Sequence, residues 1–494
     1  MANASNVFPI QIPPGMFRNG TDLEGAGRWR SGNLVRWLES KLQPIGGWAS
    51  RSSSKVSNPV RGMVAFRSNS GSRYVGLGSS DKLHVMTAAG VLHDITPAGF
   101  TTGTVDAELN TGYGGGFFGT DNFGSPRPDT GAYAEANTWR LDTWGEYLVA
   151  CAYSDGKLYE WQLNTAVAAA QISGSPTSCL GLVVTPERFI MALGAGGNPR
   201  KVQWCDREDN TTWTPLATNE AGDQELQTPG QIMRGIRTRG ETLIITDRDA
   251  WVANYVGPPF VYGFSQVGDA CGLSARGSAI GTKGGVFWMG QRGFFRYNGG
   301  EVESIPCDVL DYVFTDLNQP QRSKVWAFAN EQFNEVWWVY PSSTECDKYV
   351  YFNYLTNHWS YGEIDRTCGV DRSVFKNPIL VSSGGELFDH ETGFNHHGQM
   401  PFVESGPLLV GAGGQVASFT ELIPDEGTQG EVTMTFKTRF NPNDTEYSHG
   451  PYTMGNPTGV RFTGRQFRAR VDAVGSTNWR FGVPRLRHAI GGRR

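Results

Sequence analysis

The chain has 494 residues, with 64 glycines, 26 prolines and 12% aromatic side chains. Its net charge of −5 and its 18% of charged residues lack the basic footprint of a general nucleic-acid binder. The length implies more than one domain, and a turn-rich, aromatic-rich composition points to β-structure.

Residues 1–60 read as an N-terminal extended arm with a hairpin. Pro9, Pro13 and Pro14 favour extended backbone. The stretch Arg28 to Trp48 follows as a strand, a turn at Glu39-Ser40-Lys41 and a second strand. Leu34, Arg36 and Leu38 alternate as they would on a one-sided hairpin. The first residues show no basic start and no apolar core, so no signal peptide is expected.

Residues 61–395 carry a recurring unit of two short strands around a tight turn. It runs Tyr74-Val-Gly-Leu77 with Lys82-Leu-His-Val-Met86, and Tyr147-Leu-Val-Ala-Cys-Ala-Tyr153 with Lys157-Leu-Tyr-Glu-Trp161. It returns at Phe189-Ile-Met-Ala-Leu193, Thr242-Leu-Ile-Ile245, Val286-Phe-Trp-Met289, Glu335-Val-Trp-Trp-Val-Tyr340 and Ile379-Leu-Val381, each with a partner strand. From Lys157 to Val202, Ala250 and Phe294 the steps are 45, 48 and 44 residues, the period of a four-stranded propeller blade. The fold class is therefore all-β. A β-propeller of six to eight blades, with seven preferred, is joined to an accessory β-sandwich-like domain. Runs such as Val336 to Tyr340 lack polar alternation because neighbouring blades cover both faces of a blade. The step from Lys82 to Lys157 is 75 residues, and its excess, Phe100 to Ala136, is a long loop or part of a degenerate blade.

Residues 396–494 read as a C-terminal antiparallel β-domain with an Arg-rich end. Glu431 to Phe440, Val460 to Gly464 and Gln466 to Val471 alternate as half-buried strands. Val309 to Leu317 is the best candidate for a short helix.

No strong catalytic constellation appears. Asp389-His390-Glu391 with His396-His397 matches no standard zinc spacing, so neither a metal nor a cofactor is expected. Ser154-Asp-Gly-Lys-Leu-Tyr-Glu-Trp161 is faintly like the turn of sialidases and reads as a structural turn. The seven cysteines are an odd number without a Cys-x-x-Cys pair, which suits buried, reduced thiols. Gln162 to Thr185 is uncharged but broken by Gly, Pro and Ser, so no membrane span is expected. Arg461, Arg465, Arg468, Arg470, Arg480, Arg485 and Arg487 face a single nearby acid, Asp472. Arginine forks suit carboxylates and phosphates. The preferred reading is a subunit or ring interface against an acidic neighbour; nucleic-acid contact is the competing one.

Four stretches resemble the tail hub or nozzle proteins of short-tailed bacteriophages, also called packaged-DNA stabilisation proteins. They are Gly32-Asn-Leu-Val-Arg-Trp37 with Lys41-Leu-Gln-Pro-Ile-Gly-Gly-Trp48; Trp204 to Pro215 with Ala221-Gly-Asp223; Gly268-Asp-Ala-Cys-Gly-Leu273 through Gly293 to Gly300 and Ser304-Ile-Pro306; and Phe467-Arg-Ala-Arg-Val471 to Arg485-Leu-Arg487. The resemblance implies a non-enzymatic virion tail protein, made in the host cytoplasm. It implies a homo-hexamer below the portal and adaptor rings that extends the DNA ejection channel and carries spikes, fibres or a needle. Double-stranded DNA would pass its lumen without specific binding, which favours a neutral or acidic lining. Two alternatives stand beside it: a glycan-binding or glycan-cleaving propeller using Asp155, Asp389 and Glu391, and a baseplate component of a long-tailed particle.

Overall fold

A computed structural model describes residues 6–109, 133–410, 414–425, 427 and 430–491. Among them, seven antiparallel four-stranded sheets, here blades 1 to 7, line up in a ring. Their innermost strands are Met63–Arg67, Trp139–Trp144, Gly181–Val184, Ile232–Arg237, Ala279–Thr282, Trp326–Asn330 and Cys368–Val370. Each packs beside the next, and the last packs beside the first, so the ring is closed. Blade 7 takes its outermost strand from ahead of the repeat region: Trp48–Ser50, inside the first 60 residues, pairs with Leu387–His390.

The blades are apolar through their thickness. Glu335–Pro341 of blade 6 is buried along its whole length. Its Trp337 stacks on Tyr351 at 4.9 Å and contacts Phe328 at 5.6 Å, while Trp338 faces Phe294 of blade 5 at 4.8 Å. Such ring pairs add to the burial of their own area. All seven cysteines are buried free thiols, and the helix between blades 5 and 6 spans Leu310–Asp316.

The C-terminal residues form two packed sheets, but not alone. One sheet orders Asn6–Pro9, Arg485–Ile490, Ala417–Ile423 and Thr458–Gly464. The other orders Trp29–Asn33, Phe402–Ser405, Gln466–Ala473, Val432–Arg439 and Tyr447–Thr453. Phe419, Phe436 and Phe462 stack between them at 4.7 and 4.9 Å.

The first 60 residues therefore do not project as an arm. They give one strand to each sandwich sheet and one to blade 7. The hairpin Val35–Leu38 with Lys41–Pro44 forms with its turn at Glu39 and Ser40, both at positive φ, as a tight two-residue turn requires. It is not one-sided: Leu34, Val35, Arg36 and Trp37 are all buried. The hairpin lies between the two bodies, and Leu42 bridges to Phe481 of the C-terminal region. The same apolar cluster runs from Phe287 and Trp338 of the propeller through Trp29 and Trp37 to Phe419 and Phe481. Within the long stretch Phe100 to Ala136, Glu108–Leu109 pairs with Tyr133–Ala134. Its Gly112 to Gly119 and Ser125 to Pro128 motifs lie outside the described residues, as do Arg493 and Arg494. No helix among the described residues is long and apolar enough to cross a membrane.

Candidate functional site

The arginines of the C-terminal region divide into two groups. Arg468 and Arg439, on adjacent strands, share Asp22, and Arg468 also reaches Glu446 at 2.8 Å. Burial pushes the Asp22 carboxyl up, but the hydrogen bond from Arg439 and the nearby guanidiniums outweigh it and hold it below its ordinary range. Arg470 lies 4.0 Å over the Phe402 ring, chelates Asp472 at 2.7 Å and faces Glu404 at 3.7 Å. Arg487 pairs with Glu421 at 2.9 Å. These side chains stitch the sandwich together. Arg461, Arg480 and Arg485 are exposed and Arg465 is half-buried, and none of the four has an ion pair with another described residue. Counting acids by sequence proximity missed Asp22, Glu404, Glu421 and Glu446, which folding brings in from elsewhere.

The Asp389 to His397 region is a structural seam. Among the described residues no group of histidine, cysteine and carboxylate side chains is placed to hold a metal. The Trp48 indole stacks on His390 at 5.2 Å and meets His396 edge-on at 5.0 Å. Arg366 Nε donates to His390 Nε2 at 2.8 Å, so His390 is an acceptor there. Burial and the Arg366 charge push its pKa well below the ordinary histidine range. Glu391 accepts from both Arg36 Nη groups at 2.9 and 2.6 Å, from Asn330 at 2.8 Å and from the Gly46 amide at 3.0 Å. Arg36 also holds both oxygens of Glu335 at 3.0 Å, and Trp337 Nε1 donates to Glu335 at 2.9 Å. A Cβ at Gly46 would stand 2.3 Å from Glu391 Oε2, so the Gly-Gly pair before Trp48 is there for close approach. Burial raises both carboxyls. For Glu391 the attraction and hydrogen bonds of Arg36 win and its pKa is lowered; for Glu335, burial and the Glu391 charge win and it is raised.

The carboxylates of the glycan-active reading are occupied locally. Asp389 pairs with Arg51 at 2.6 Å and Glu391 belongs to the Arg36 cluster. Asp155 accepts from the Tyr159 hydroxyl and from Lys157 Nζ at 3.1 Å.

The propeller axis holds a cavity of about 440 Å³ lined by the innermost strands. Arg61, Arg140, Arg234 and Arg276 lie on its wall with Met63, Leu141, Ile280, Trp326 and Val370. Six of the seven innermost strands have a basic residue close to their start, on one side of it or the other: Arg61, Arg140, Arg234, Arg276, Lys324 and Arg366. Sequence reasoning did not pick them out. Their recurrence near the start of the innermost strand was the available signal, blurred because the offset changes from blade to blade.

No protein-family model and no curated protein matches the chain. Among solved structures, virginiamycin B lyase from Staphylococcus aureus aligns with 8% identity and a TM-score of 0.41, over 69% of this chain and 97% of that one. BamB from Moraxella catarrhalis aligns with 9% identity and a TM-score of 0.37, over 74% and 95%. The Neurospora crassa Pan2 WD40 domain aligns with 9% identity and a TM-score of 0.38, over 71% and 96%. No function is taken from likenesses this distant. The topology itself defines the class, an all-β protein in which a β-propeller is joined to a β-sandwich.

Proposed function

We propose that this protein is a structural, non-catalytic subunit of a virion tail. It acts as a nozzle or hub that assembles as a homo-hexameric ring below portal and adaptor, extends the DNA ejection channel and carries the tail tip or spikes. The observation that carries this reading is the placement of Gly32 to Trp48, one of the four stretches with the family resemblance. That stretch is fixed to the propeller side through Arg36, Gly46 and Trp48 and to the sandwich side through Trp37 and Leu42. A pipe wall needs a unit that does not flex between its bodies, and a continuous buried core supplies one. The exposed Arg461, Arg480 and Arg485 are the cations left for a neighbouring subunit.

Negative-stain microscopy and native mass measurement of the full chain at physiological salt test the proposal. Closed six-fold rings are expected. A persistent monomer that cleaves polysaccharide, with turnover abolished by Asp155→Ala, Asp389→Ala and Glu391→Ala, overturns it in favour of the glycan-active reading.

A further inference from the structure

Four of the basic residues near the starts of the innermost strands, Arg61, Arg140, Arg234 and Arg276, line one end of the axial cavity, while Arg366 stacks on Trp48 and Phe388 of the outer strands of blade 7. Backbone bonds tie these starts across blades: Trp139 N donates to Arg61 O at 3.1 Å, and Ala327 N to Gly277 O at 2.9 Å. Most of the cations have partners. Arg61 chelates Glu345 at 3.1 and 2.7 Å, Lys324 pairs with Asp106, Arg276 faces Glu135 at 3.5 Å, and Arg366 donates to His390. Arg140 and Arg234 do not. Among the described residues no carboxylate lies within 4.0 Å of either guanidinium. Asp142, the nearest acid in electrostatic effect, is engaged by the Val184 amide at 3.0 Å and by Arg237 at 3.9 Å.

Arg234 is 7% exposed, and its Nη1 donates to the Arg276 carbonyl at 3.1 Å. The Nε groups of Arg140 and Arg234 are buried without a hydrogen-bond partner. Arg61, Arg140 and Arg234, from blades 1, 2 and 4, line the same cavity as the Cys368 thiol of blade 7. Burial still pushes that thiol up to about 12, which leaves it a neutral part of the wall and not a nucleophile. Guanidinium keeps its proton at neutral pH, and burial together with the Arg140 charge disfavours the charged form of Arg234. An uncompensated buried charge of this kind is costly.

We propose that the arginine end of the propeller cavity is an oxyanion site. A phosphate, sulfate or carboxylate group would bind between Arg140 and Arg234 with Arg61 as a third contact, and the apolar wall of Met63, Leu141 and Val370 would receive an attached organic body. Planar guanidinium forks give an oxyanion paired, charge-assisted hydrogen bonds, and the cavity exceeds what a bare ion fills. The site does not depend on the tail reading and is measurable on single subunits.

The test is thermal unfolding and isothermal titration of the full chain. Inorganic phosphate and phenyl phosphate are compared with chloride at equal ionic strength and pH 7. Wild type is expected to melt several degrees higher with either phosphate, saturating at one site per chain. Arg140→Gln should melt no lower than wild type in chloride and bind phosphate at least tenfold more weakly. Arg234→Lys should weaken binding in the same direction, and Arg487→Gln, outside the cavity, should leave it unchanged. Tighter binding of phenyl phosphate assigns the site to an organic anion; equal binding assigns it to the free oxyanion. No response in wild type, an equal response in Arg140→Gln, or a lower melting point of that variant in chloride overturns the proposal.

Discussion

Arg36 of the hairpin and Arg234 of blade 4 are both buried arginines, and their surroundings are opposite. Arg36 is gripped by two carboxylates, and its charge also rests on the Phe333 ring at 3.7 Å. Arg234 has a neighbouring arginine and a carbonyl. In the first place the charge is answered inside the chain, so it serves cohesion. In the second the fold leaves the charge open at a cavity, where an outside group can answer it. Burial alone does not tell a structural arginine from a binding one; the tally of counter-charges does.

The largest test of that contrast is Arg36→Met. It strands Glu335 and Glu391 in the core, and breaking a buried pair in this way costs about 3–5 kcal/mol. Denaturant unfolding should register that loss, and adding Glu335→Gln and Glu391→Gln should restore part of it. A loss below about 1 kcal/mol would show that the seam is not what holds the hairpin in place.

The next effects are pH-dependent. His390 has its folded pKa depressed below the unfolded value, so its contribution is fully present above about 6.5 and is lost as pH falls. His390→Gln should flatten the acid limb of the stability profile. Glu335 has its folded pKa raised, to about 7, so its contribution is present below the unfolded value and is lost as pH rises toward 7. Glu335→Gln should flatten that decline; an unchanged slope would mean that Arg36 keeps Glu335 ionised throughout.

The smallest effects on the subunit belong to the exposed arginines. Arg487→Ala removes a surface pair worth about 0–1 kcal/mol and should barely move the melting point. Arg461→Glu, Arg480→Glu and Arg485→Glu together should leave subunit stability nearly unchanged yet abolish ring formation. If rings persist on size-exclusion chromatography, these cations do not face a neighbour.

The blade repeats were legible because each joins strands close in sequence and is covered on both faces, as in Glu335 to Tyr340 with Lys348 to Phe352. The strands Phe402–Ser405 and Ala417–Ile423 were hidden in a Gly- and Pro-rich stretch, because they are completed by distant partners and not by local alternation. The same distance hid the chemistry. Arg468 and Asp22 are 446 positions apart, and Arg61 and Glu345 are 284. A basic end could be read from the sequence, but not which of its cations were already neutralised. The hairpin showed the opposite failure. Arg36 is covered by Glu335, Glu391 and Phe333 on the propeller side, while its neighbour Trp37 joins the core that reaches the sandwich, so both faces of the hairpin are buried.

Trp48–Ser50 completes the sheet that begins at Cys368. On the ribosome its partners emerge more than three hundred residues later, so the early tryptophans must wait unpaired while blades 1 to 6 take shape. Such long-range closure folds slowly and leaves sticky intermediates, and that delay puts a premium on chaperone protection during synthesis.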